Sequence, residues 1–171
     1  MDHRAGHVAS RTLAASVVGG IIGGLVGAAA MSAIHRWLSG PPPAGERAAS
    51  EQEPDATVKV ADRLSRTVRG APLPDHLRAA AGSTVHYGFG AVMGAAQGAM
   101  AAVTPIAGVG GGLGFGALVW AGAHAIVVPA LGLAPSPRRR PPRQEALELG
   151  LHLVYGVCAE RVRRVAVRLL A

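Results

Sequence analysis

Cysteine is almost absent from this chain. Cys158 is the single thiol, so no internal disulfide framework exists. Aromatic residues are scarce too, with two each of Trp, Tyr and Phe among 171 residues, and only 16% of residues carry charge. No CxxC pair, HExxH, P-loop or GxSxG occurs, which excludes the enzyme classes those motifs mark. The expectation is a non-enzyme with no catalytic residue, no metal site and no cofactor. Lysine occurs once against sixteen arginines, a bias that reads as genome composition rather than mechanism.

What is abundant is glycine, 24 residues of 171, in a chain that is 50% apolar. That is roughly twice the usual glycine share of about 7%. The net charge of +7 raises nucleic acid as a partner. The arginines, however, sit at the ends of apolar runs rather than along one face between aromatics, so a lipid bilayer is the expected partner and nucleic acid is not.

Ala14–Ile34 is 21 residues without a charge. At about 1.5 Å per residue this run reaches ~30 Å, enough to cross a bilayer core. Arg11 precedes it, and His35, Arg36 and Trp37 follow where headgroups would lie. The rival reading is a secretory signal peptide cleaved near Ala28-Ala29-Ala30. Pro41–Ala56 reads as a flexible loop. Thr57–Arg69 reads as a basic amphipathic helix, either lying on a membrane surface or solvated in a linker.

Pro72-Leu73-Pro74-Asp75 marks a helix start. The second expected span is Ser83–Val103, ended by Thr104-Pro105. The third is Leu113–Leu131, after a glycine-rich turn or loose helix start over Ala107–Gly114. Arg138–Arg143, with its prolines, reads as an aqueous loop. In the last helix, Glu145–Leu170, the uncharged part Leu149–Ala159 is too short to span alone. The expected architecture is therefore an all-α transmembrane bundle of three spans plus a C-terminal amphipathic or partly inserted helix. Its segments are 1–38, 39–73 and 74–171.

Helices in lipid associate by close backbone packing, which small residues permit. Gly19, Gly23 and Gly27 stand four apart, as do Gly90, Gly94 and Gly98, and again Gly108, Gly112 and Gly116. Each trio lines one helix face. The alternative is glycine scattered by a biased genome. Such glycine-zipper faces imply a tight bundle, a homo-oligomer or a partner membrane protein. With the tail on the side of the Arg138–Arg143 loop, two of the basic residues precede the first span and fifteen lie elsewhere. Positive charge favours the cytoplasm, so the N-terminus is expected outside.

Ionisable groups in apolar segments raise a functional question. The proton-titratable candidates are His86, His124, Glu148, His152 and Glu160, with Tyr87 and Tyr155 as polar support. Glu148, His152, Gly156 and Glu160 are each four apart and share one helix face. If that face meets the other spans, His152 can pair with Glu148 or Glu160. Histidine titrates near pH 6.5, so the set can sense or relay protons. The bland alternative for each histidine is a neutral ring satisfied near a helix end. Bis-histidine haem ligation is disfavoured because large aromatics to pack a macrocycle are lacking.

The ordered motifs His86-Tyr87-Gly88-Phe89-Gly90 with Gly94 and Gly98, then Gly114-Phe115-Gly116 and Trp120, then Pro129–Leu133, then His152-xx-Tyr155-Gly156-xxx-Glu160-xx-Arg163-Arg164 resemble the YagU-like bacterial inner-membrane proteins. The likeness covers about residues 83–165 and, loosely, the first span. It implies a multi-pass inner-membrane protein, with a link to acid resistance in one branch, and brings no catalytic residue or cofactor. Family members tend to carry an acidic pair four and five residues after the tryptophan, where this chain has His124 and Ala125. A histidine there keeps a titratable group of opposite charge, or the role is reduced. The expected function is proton-linked or acid-stress membrane physiology. The alternative is an accessory subunit that docks a partner through its glycine faces.

Overall fold

The computed structural model describes residues 2–40 and 55–170, so nearly all of the loop expected at Pro41–Ala56 lies outside the described residues. The described residues are helical and contain no strand. The elements are α1 (Asp2–Ser39), α2 (Ala56–Arg69), α3 (Arg78–Val103), α4 (Leu113–Val119) and α5 (Pro142–Leu170). α4 runs on into a π-helical segment, Trp120–Val127, and a last α-helical turn, Val128–Ala130. The Val128 N–H bonds the Ala123 carbonyl five residues back. Pro129 follows, and a proline ring clashes with the carbonyl four residues before it; the wider turn relieves that clash.

α1 is the middle of the bundle and packs extensively on both α3 and α5, which barely touch each other. Both neighbours run antiparallel to it. On one side Gly98 lies against Ser16, Gly94 against Gly20 and Gly90 against Gly24. On the other, Arg163 and Ala166 lie against Gly19, Ala159 against Gly23 and Tyr155 against Gly27. A methyl group at Gly27 would sit 2.8 Å from the Tyr155 carbonyl oxygen. At Gly20, Gly24, Gly94 or Gly98 it would overlap a facing backbone oxygen outright. Neighbouring positions on a helix point about 100° apart, so the paired glycines 19-20 and 23-24 open two faces of one helix.

The remaining trio closes the next seam. Gly112 and Gly116 meet Gly156 and the His152 carbonyl of α5, and Gly108 meets the Glu160 side chain. The first two expected glycine faces abut other helices of the same chain; the third is not a helix face, because the backbone at Val109, Gly110 and Gly111 is non-helical and only Gly116 lies within α4. Gly110, Gly111 and Gly112 have positive φ, at 63°, 66° and 103°, and break the path between α3 and α4. Only glycine enters that region without strain.

Two helices are long and apolar enough to cross a membrane, over Arg11–Leu38 and Pro105–Ala130. α3, the second expected span, is 26 residues long, but its small residues and Gln97 dilute its hydropathy. α5 departs further from expectation. It is one unbroken helix of 29 residues lying along α1, so its arginine-rich half returns to the N-terminal end of α1 rather than staying beside Arg138–Arg143. Pro142 and Arg143, expected in a non-helical loop, form its first turn.

α2 folds back on the start of α3 as a helical hairpin. Asp62 accepts hydrogen bonds from the Leu73 amide (2.8 Å) and from Arg66 Nε (2.7 Å), and Ser65 donates to the Ala71 carbonyl at 2.9 Å. Arg66 first, and the Leu73 amide second, hold the Asp62 carboxyl below its usual range.

Two predictions follow from this packing. Gly24→Ala lowers stability by about 1–3 kcal/mol through overpacking, whereas Gly88→Ala, with nothing within 4 Å of the new methyl, leaves it unchanged; thermal unfolding in detergent reads both. Because the folded Asp62 has the depressed pKa, the hairpin's added stability is present above the unfolded carboxylate pKa and is lost as pH falls through the folded value. Protection of the Leu73 amide against hydrogen exchange is expected to fall over that acidic window in the wild type, and Asp62→Asn abolishes the dependence.

Candidate functional site

The polar groups of the bundle gather at two heights. The first cluster centres on Glu160 of α5, whose side chain is 1% exposed. Arg163 grips it with a fork, Nε to Oε2 at 2.8 Å and Nη2 to Oε1 at 2.9 Å, while Arg164 Nε donates to Oε1 at 2.5 Å. Bidentate arginine–carboxylate pairs of this kind are among the strongest charged hydrogen bonds. Arg163 Nη1 reaches Ser16 Oγ (3.1 Å), which in turn donates to the Gly98 carbonyl (2.8 Å). Three helices are tied together at this point.

The same carboxylate supports the broken stretch between α3 and α4. Gln97, fully buried, directs its amide nitrogen to Glu160 Oε2 (3.4 Å) and the Ala107 carbonyl (3.5 Å), and Arg164 Nη2 lies 3.4 Å from the Gly108 carbonyl. Backbone without regular helical bonds needs such donors when it is shielded from water. Gln97 Oε1 has no partner among the described residues. Flipping the amide would set its oxygen against a carboxylate, so the orientation is fixed by chemistry.

The second cluster lines a cavity of about 830 Å³ at the other end of the bundle, where α1 finishes and α5 begins. His86 of α3 sets Nε2 3.1 Å from Ser32 Oγ and 3.3 Å from the Ala28 carbonyl. His124, on the π-helical segment, sets Nε2 3.1 Å from Glu145 Oε2 and stacks on Trp120 at 6.2 Å between ring centroids. His152 Nδ1 donates to the Glu148 carbonyl at 2.7 Å, which leaves Nε2 as the acceptor of the neutral ring. The His124 and His152 rings are 5.8 Å apart.

The expected residues therefore divide. His86, His124, Glu148 and His152 line one cavity, with Tyr87 and Tyr155 beside them, and Glu160 does not. The pairing foreseen for His152 is absent, since it bonds the backbone of Glu148, and Glu160 is taken by two arginines. Tyr155 donates to the Gly90 carbonyl at 2.7 Å and packs against Gly27, joining α5 to α3 past α1. Glu145, Ser16, Gln97 and Ser32 were not foreseen. Gln97 was the one uncharged hydrogen-bonding amide in an apolar stretch, a signal that could have found it. No group of three metal-ligating side chains converges among the described residues.

A family model described as a protein of unknown function (DUF1440) matches residues 67–161, more than half of the chain. The chain belongs to this family. It is the YagU-like family named on the motifs, and the match runs from the last turn of α2 through Arg161, leaving α1 outside it. No curated protein and no solved structure matches. The position where this chain carries His124 in place of an expected acid still meets a carboxylate, that of Glu145 on α5.

Removing the charge of Glu160 leaves two arginines without their counterion. Glu160→Gln is expected to destabilise the bundle by about 3 kcal/mol or more, measured by unfolding in detergent, whereas Arg168→Ala, in the last turn of α5, changes stability by less than about 0.5 kcal/mol.

Proposed function

We propose that this family member is a multi-pass protein of the bacterial cytoplasmic membrane, with α1, α3, the α4 helix and α5 side by side across the bilayer, and that its histidine cavity makes the packing respond to protons. One observation carries the membrane part. The largest of the fully buried side chains are the polar Gln97, Glu160 and Ser16, while Ile22, Val26, Val92, Leu118 and Ile126 face outward. Soluble monomers rarely expose so continuous an apolar surface.

Of the seventeen lysines and arginines, eleven lie between Arg36 and Arg143, in the segments that join the helices at the cavity end. The positive-inside tendency puts that end in the cytoplasm and both termini outside. Of the arginines at the other end, Arg163 and Arg164 are held by Glu160, which weakens their claim on orientation. The cavity then opens to the cytoplasm.

The proton response follows from the histidine spacing. Protonation of His124 turns its contact with Glu145 into an ion pair. A second proton on His152, 5.8 Å away, adds repulsion of about 3 kcal/mol at an effective dielectric near 20. That repulsion acts on the seam closed by Gly116 against His152, loosening α4 from α5. The glycine contacts within the chain favour this reading over an accessory role that would dock a partner through the same faces.

Two measurements test the reading. The protein is expected to stay in the membrane pellet after an alkaline wash and to need detergent for release; release by the wash contradicts it. At equal protein level, His152→Ala and His86→Ala are expected to change internal pH or survival after acid challenge, and wild-type behaviour of both sinks the proton role.

A further inference from the structure

The cavity carries a charge balance that proton uptake would tip. At its rim α1 presents His35 and Arg36, α2 presents Asp55 and Lys59, and the segment before α5 presents Arg140. Deeper in lie His86 and Tyr87 of α3, His124 of the π-helical segment, and Glu148, His152 and Tyr155 of α5. Glu145 joins them through its bond to His124 and its 3.7 Å approach to Arg140. With neutral imidazoles the three fixed cations equal the three carboxylates. Every histidine that takes up a proton then makes the cavity a net cation.

Donors suited to an oxygen anion are grouped there as well. Arg140, Arg36 and the exposed Ser83 stand at the rim, Ser32 lines the cavity beside His86, and the first turn of α2 lines the wall with no side-chain cap from Asp55. Apolar side chains, among them Met31, Phe89 and Leu151, cover the rest. A volume of about 830 Å³ falls in the range of small-molecule sites.

We propose that this cavity is a proton-dependent binding site for an oxyanion of the phosphate class, carried either by a free solute or by a lipid headgroup. The proposal rests on the cavity's response to protons and adds its ligand. By reciprocity of linkage, an anion that prefers the protonated cavity also raises proton uptake.

The test uses the full chain in detergent without phospholipid. Inorganic sulfate, whose charge stays constant across the range, and inorganic phosphate are titrated at about pH 7.5 and about pH 5.5 while thermal unfolding is followed. Sulfate is expected to bind about tenfold more tightly at the acidic pH, and Arg140→Gln or Arg36→Gln to weaken it about tenfold. Arg139→Gln, which does not line the cavity, leaves binding as in wild type. In parallel, protein extracted from bilayers containing anionic phospholipid is assayed for bound phosphorus. Phospholipid retained by the wild type and lost from Arg140→Gln, without an effect of free anions, supports the site and assigns it to a lipid. Absence of both effects, or equal effects in wild type and the rim variants, overturns the proposal. The histidine variants are read with no added anion, so the proton response can stand while the ligand assignment fails.

Discussion

Contact of bare backbone along two faces of α1 is the constraint on which the rest depends. At Gly20 and Gly24 the helix lies so close to α3 that the facing carbonyls occupy the space of a side chain, and at Gly23 and Gly27 it does the same with α5. Approach of this kind gains dispersion over many small contacts and leaves little freedom for sliding. It fixes α3 and α5 relative to a common axis, and so decides that Ser16, Gln97 and Glu160 converge at one height while His86 and His152 converge at another.

α5 links the two clusters. Within 16 residues it carries Glu145, which meets His124, then His152, then Gly156 against Gly112, then Glu160. The Glu160 cluster is a fixed lock, because its carboxylate is saturated by two guanidinium groups, while Gln97 and Arg164 brace the broken stretch at Ala107 and Gly108. The histidine end is different: its rings line an open cavity, and each bonds through one ring nitrogen. The proposed proton response would act at this second end and leave the Glu160 lock in place.

Much of this was legible in the residues. Four-residue glycine spacing marked real helix contacts, and the Glu148, His152, Gly156, Glu160 stripe does turn inward. Other features were hidden for physical reasons. A run such as Gly19-Gly20 and Gly23-Gly24 contains two faces, and spacing alone picks one register, so the Gly20 and Gly24 face went unread. His124 and Glu145 are 21 residues apart across a loop, and no periodicity links them. Pro142 and Arg143 read as loop because they continue an arginine and proline run, yet proline suits the first turn of a helix and α5 begins there. The π-helical turn has only Pro129 as its signal, and a proline near a helix end reads equally well as a terminus.

The most direct test of the account is the environment of its outward residues in lipid. Single spin labels at Val92, Leu118 and Arg139 are introduced in a Cys158→Ser chain reconstituted into vesicles, and their collision rates with oxygen and with a water-soluble nickel chelate are compared. The account predicts that labels at Val92 and Leu118 meet oxygen and are shielded from nickel, with the reverse at Arg139. Equal access of nickel to all three positions would contradict a bundle that turns its apolar side chains outward and keeps its polar ones within.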